Sequence, residues 1–222
     1  MRYLIINGTI VLFILICAIV SAFTYKKMRD LVFLIFSVYY FISFVTEVGS
    51  DLYTQLTHKQ NQFIYNIYLF VTLIFYYLVF SISLSGSFLK KFLTIISGVI
   101  LIYAFINVIF GQGFFHYNTY TLYLETYFVM LLCIVYFYSV LRSESIIFPL
   151  KEYFFWVAAG IFISNMCSIT YFLFFDYILK AHLDANGRIY QYINITSKII
   201  EYSLAIFAFS YAPEWKKNKS LY

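Results

Sequence analysis

Charge is what this sequence has least of. Only 11% of its 222 residues are Asp, Glu, Lys or Arg, against 63% that are apolar, where a water-soluble domain has about a quarter charged and about half apolar. That deficit excludes an ordinary soluble enzyme. Cysteine is scarce as well: Cys17, Cys133 and Cys167 each fall inside an apolar run and form no CxxC pair, so neither a disulfide framework nor a thiolate metal site is expected. The histidines are His58, His116 and His182, with no HxxxH spacing among them, which removes the usual way one helix holds a zinc ion. A nucleophile motif, a phosphate-binding loop and a paired-glutamate protease signature are all missing. The connections between apolar runs are too short to hold a soluble domain.

What is present is apolar length. Seven windows, each near the ~20 residues that cross a bilayer core as a helix, run from Leu4 to Thr24, Leu31 to Asp51, Phe63 to Ser85, Phe92 to Phe110, Tyr117 to Leu141, Tyr153 to Phe175 and Ile189 to Tyr211. They are too long and too uniformly apolar for barrel strands, which alternate over ~10 residues. A helix satisfies its own backbone hydrogen bonds in lipid, and these windows fit that solution. The prediction is an all-α polytopic membrane protein, one transmembrane domain over residues 1–222 with seven helices in a single bundle. Thr94, Ser97 and Gly98 in the fourth window are small enough for close helix contact. Ala212-Pro213 is expected to stop the last helix, and Asn186-Gly187 to form a turn before it.

The net charge of +5 needs no anionic partner such as nucleic acid. With the amino terminus outside, the inner segments carry Lys26, Lys27, Arg29, Lys90, Lys91, Arg142, Lys151, Lys216, Lys217 and Lys219, and the outer ones only Arg2, Lys59, Lys180 and Arg188. Positive residues favour the cytoplasmic side, so the reading is amino terminus out and carboxyl terminus in, within a cell (inner) membrane. Arg2, the first apolar run and Val20-Ser21-Ala22 have the outline of a cleavable signal. The basic cluster Lys26, Lys27, Arg29 flanks a retained helix better.

Against this apolar background the polar residues stand out. The last window holds Asn194, Lys198 and Glu201, spaced four and three apart and so on one helical face. An ionised group within a bilayer costs several kcal/mol or more unless paired or facing a wet cavity, which makes intramembrane ionisable residues functional candidates. Glu47 and Asp51 share a face near the outer end of the second helix. Asn66, Asn107 and Glu125 also fall in the outer half, and Asn165 near the middle of the sixth helix. Almost nothing polar lies in the inner half, which argues against a continuous channel or pump and for a pocket open outward and sealed below. The candidate ligand-binding residues are therefore Lys198, Glu201, Asn194, Glu125, Glu47, Asp51, Asn66 and Asn165. Neither a cofactor nor a metal is expected.

The helix count, orientation, short loops, the position of Glu47, Pro149 followed by Trp156, and Asn194 in the seventh helix together resemble small bacterial seven-helix membrane proteins. Some of these stand alone and some serve as input modules of sensor kinases. The resemblance implies a receptor- or sensor-like protein. Its expected partners are the lipid bilayer, a small amphipathic or lipid-like ligand, and a membrane or cytoplasmic protein. Two alternatives are a lipid-modifying enzyme using His58, His116 and His182, and an accessory or structural subunit whose polar face meets another helix. A further one is retinal binding: Ser197-Lys198 in a seventh helix resembles the rhodopsin arrangement, but the third helix lacks the acidic counterion.

Overall fold

The computed structural model describes residues 2–84, 87–142, 149–174, 177–178, 181, 184 and 188–219, with residues 2–7, 87, 190 and 216–219 described by their backbone alone. His182 and the Asn186-Gly187 turn lie outside the described residues. Among those described there is no strand, and seven long helices account for most of the chain: α1 Arg2–Met28, α2 Leu31–Thr57, α3 Gln62–Ser83, α4 Ser87–Ile106, α5 Thr119–Arg142, α6 Tyr153–Leu173 and α7 Arg188–Lys219. A π turn, Asn107–Gly111, continues α4, and a 3-10 turn, Pro149–Lys151, precedes α6. Six helices are long and apolar enough to cross a membrane, α4 doing so together with its π turn; the chain is thus a multi-pass membrane protein. The helix not among the six is α7, whose apolar character is diluted by Asn194, Lys198 and Glu201 and by its polar end.

Two compact units divide the chain, Ile14–Glu125 and the remainder, Met1–Phe13 with Thr126–Tyr222. In the first, the link from α1 to α2 is only Arg29 and Asp30. Arg29 takes a left-handed backbone (φ 55°), and the Asp30 carboxylate accepts the Val32 N–H at 3.1 Å, capping α2. Asp supplies here the acceptor that the first amides of any helix lack. α2 and α3 are then joined by aromatic packing and hydroxyls. The Tyr39 ring stacks on Phe75 with centroids 3.6 Å apart, while Ser43 Oγ meets Tyr68 Oη at 2.7 Å and Tyr68 Oη donates to Tyr39 Oη at 3.1 Å. Inside lipid such groups need partners as well as area, because water is not there to satisfy them.

In the second unit the organising contact is α6 against α7. A Cβ placed on Gly160 would come within 3.1 Å of the Glu201 Cα and carbonyl oxygen, so the two backbones touch. Along α7, Ser197, Glu201, Ala205, Ala208 and Ala212 are all buried. Their spacing of four, four, three and four keeps them on one face, and small side chains are what let membrane helices approach this closely. α5 packs on α6 through rings, Tyr136 edge-on to Phe154 at 4.8 Å and Phe137 to Phe162 at 6.0 Å.

Three sequence expectations change here. Gly98 of α4 has nothing within 4 Å of an added Cβ, and Thr94, which donates to Lys90 O at 2.8 Å, meets Tyr77 Oη of α3 through its hydroxyl at 2.9 Å; the backbone approach expected at Gly98 is found at Gly160 instead. α2 runs two turns past Asp51, to Thr57. Finally, α7 does not stop at Pro213 but carries it inside and continues to Lys219. Proline removes one backbone hydrogen bond and clashes with the preceding turn, but in lipid-exposed helices neighbouring groups offset that loss. Here the residue before it, Ala212, is packed at 1% exposure.

Candidate functional site

The α7 residues come together as their spacing implies. Lys198 Nζ donates to Glu201 Oε2 at 2.8 Å, an ion pair within one turn of α7. The two ends of the pair sit in different surroundings: the Glu201 side chain is 5% exposed and that of Lys198 29%. Glu201 belongs to the buried stripe of α7, with its backbone against Gly160, whereas Lys198 is partly exposed and reaches one turn forward along α7. A carboxylate in such a place needs a cation beside it, since an unpaired charge taken out of water costs several kcal/mol. Asn194, one turn before Lys198, is half-buried, and its carbonyl accepts the Ser197 hydroxyl at 2.9 Å. On α6, Asn165 directs its amide to Ile161 O of its own helix at 2.7 Å.

The remaining candidates belong to the other unit, where Glu47 and Asn66 enter two separate networks. One lies between α2 and α3. Asn61 Nδ2 donates to Ser50 Oγ at 2.6 Å, Ser50 Oγ to Tyr65 Oη at 3.1 Å, and Tyr65 Oη to Glu47 Oε2 at 3.1 Å. The donors all run in one sense and end on a Glu47 carboxyl oxygen, which accepts. Asp51 is half-buried one turn further along α2.

The second network fastens the segment that follows α4. Asn66 Nδ2 donates to the carbonyls of Phe114 and His116 at 2.7 and 2.8 Å. Asn118 Nδ2 donates to those of Gly113 and His116, both at 3.2 Å. Asn107 Nδ2 shares its two hydrogens among Asn118 Oδ1, Thr121 Oγ1 and Gln112 Oε1 at 3.0, 2.9 and 3.1 Å. The π turn makes this possible: Gln112 N–H bonds to Asn107 O five residues back, and Gly111 passes so close to the Asn107 side-chain oxygen that any Cβ there would collide with it. Asn66 and Tyr65 are thus neighbours in sequence committed to different partners. Glu125 is buried in α5 at 7% exposure, one turn beyond Thr121 at 0%.

Sequence reasoning passed over several of these groups. Ser50, Tyr65, Asn118 and Thr121 have no charge to draw notice. Asp184, also missed, accepts the Tyr171 hydroxyl at 3.1 Å and the Ile189 N–H at 2.9 Å, tying α6 to the start of α7. A signal was available for this last one, an acid just ahead of a helix start. His58 and His116 are exposed, and no three His, Cys, Asp or Glu side chains converge on a metal position among the described residues.

No family model, curated protein or solved structure matches the chain.

Proposed function

We propose that the chain is a receptor- or sensor-like membrane protein that binds a small amphipathic or lipid-like ligand through the polar face of α7. On this reading α7 is the seventh span, with the amino terminus outside a bacterial inner membrane and the carboxyl terminus in the cytoplasm, as the ten-to-four bias of Lys and Arg favours. The overall kind is that of the small bacterial seven-helix proteins it resembles, and the loops on the inner side meet the signalling partner. The observation that carries the reading is the asymmetric ion pair: Glu201 buried against α6, and the Lys198 ammonium held beside it at 2.8 Å yet 29% exposed. Such a cation is reachable by an acidic headgroup while its position stays fixed from below. Lys198 meets the acid of the ligand; Glu201 and Asn194 orient that lysine.

The test uses a pyrene-labelled fatty acid as the probe on the purified protein in detergent micelles or nanodiscs. Binding of the carboxylate should weaken at least ten-fold in Lys198→Met and be largely kept in Lys198→Arg, and the matching pyrene alcohol should bind poorly to both. A Lys198→Met protein that binds the carboxylate as the parent does would end the proposal.

A second reading is favoured by the touching backbones at Gly160 and Glu201: an accessory or structural subunit in which the pair sets helix packing. There Lys198→Met lowers stability and leaves probe binding alone.

A further inference from the structure

We infer that the end of the α6–α7 pair that carries both tryptophans is a seat for the phosphate headgroup of an anionic phospholipid. The chain has only two tryptophans, Trp156 near the start of α6 and Trp215 near the end of α7, and both belong to one cluster of rings. Phe207 meets Trp156 edge-on at 5.3 Å, Tyr211 at 4.9 Å and Trp215 at 5.9 Å, and Tyr211 stacks on Trp215 at 5.9 Å. Positions 207, 211 and 215 fall four apart, a single stripe of α7. It survives Pro213 only because the helix continues past that residue. The Trp156 ring is pinned by its Nε1–H, which donates to Leu150 O at 2.8 Å in the turn before α6.

The stripe has two faces of chemistry. Phe207 and Tyr211 are 38% and 46% exposed, and Leu150 is 59% exposed, so an apolar surface remains open beside the rings. Lys151, exposed, adjoins Leu150 in the chain, and Arg142, eight residues before Leu150, is exposed at the end of α5. Lys216, Lys217 and Lys219 follow Trp215 in the last turn of α7, so that these five basic residues outnumber Glu144, Glu152 and Glu214. Tryptophan and tyrosine prefer the headgroup level of a bilayer, where one edge of the ring is apolar and the other wet. Lysines there attract anionic lipid. A phospholipid supplies both halves of the match, an acyl chain for the exposed Phe207 and Tyr211 rings and a phosphate for the ammonium groups. Net negative charge then favours it over a zwitterionic lipid, whose own cation competes. The inference does not depend on which way the chain is inserted.

Because both tryptophans lie in the cluster, tryptophan fluorescence of the full chain, excited beyond the tyrosine band, reads this place. The experiment compares quenching by brominated phosphatidylglycerol and brominated phosphatidylcholine, each titrated into nanodiscs of unbrominated phosphatidylcholine. Phosphatidylglycerol should quench at a several-fold lower mole fraction, and added salt should erode that preference. Each lysine replaced in the set Lys216→Gln, Lys217→Gln and Lys219→Gln should lower it about five-fold at low salt, while quenching by phosphatidylcholine persists and certifies the fold. Lys151→Gln provides a second variant on a different helix. Equal quenching by the two lipids, a preference untouched by all four replacements, or rings that neither lipid quenches because a protein partner covers them would each overturn the inference.

Discussion

Gly160 of α6 and Glu201 of α7 meet backbone to backbone, with 3.1 Å left between an added Cβ and the Glu201 Cα. Two effects oppose each other in Gly160→Ala. Helix propensity favours alanine by about 1 kcal/mol, but overpacking against main chain that cannot rotate away costs about 1–3 kcal/mol. The second should win, lowering thermal stability in detergent. Gly98→Ala is the matched control: with open space around it, only the propensity gain remains, and its melting temperature should hold or rise.

Breaking the Lys198–Glu201 pair should be more costly than removing it whole. Lys198→Met strands a buried carboxylate, for which about 3–5 kcal/mol is the usual loss at a fully buried pair. The loss here falls below that range because the ammonium is partly exposed. Lys198→Met combined with Glu201→Gln should recover most of it. A denaturation series on the two singles and the double closes the cycle; strict additivity would mean that the pair does not act as a unit.

The Asn107 amide holds Asn118, Thr121 and Gln112 at once. Asn107→Ala leaves Asn118 Oδ1 and Thr121 Oγ1 without this donor in a buried place, at about 1–3 kcal/mol. Gly111→Ala should act on the same element from the other side, by collision with that amide. Hydrogen exchange measured over residues 111–118 should quicken in both variants; unchanged protection there would show that the network does not hold the segment.

Tyr65→Phe cuts the chain of donors one step before Glu47. Hydrogen bonds between membrane helices average about 0.6 kcal/mol, and charge-assisted ones are stronger, so a loss of about 1–2 kcal/mol is expected. Glu47→Gln keeps an acceptor for Tyr65 and should cost less than Glu47→Ala. The reverse order in a thermal melt would contradict the geometry.

The sequence made the helices plain, because a bilayer demands long apolar runs and six of them needed no neighbour to be recognised. It also made Lys198 and Glu201 plain, since charge is rare here and a spacing of three brings side chains onto one face. Less could be read where neutral groups act through distant partners. Asn66 looked like a pocket residue, yet its amide is taken by two carbonyls some fifty positions away, and no local pattern carries that information. Gly98 and Gly160 are equal in sequence and opposite in packing. Pro213 had a strong local preference, and the helix carried on through it.

The five-residue π turn contains one residue more than the regular helical path it replaces. Shortening the stretch between Asn107 and Gly111 by a single position would let the bond from the Gln112 N–H to Asn107 O close as an ordinary α-helical one. Gln112 should then move little, whereas the same deletion in the regular turns of α4 would rotate the rest of that helix by about 100°. The π turn is where this helix can lose a residue without turning its continuation.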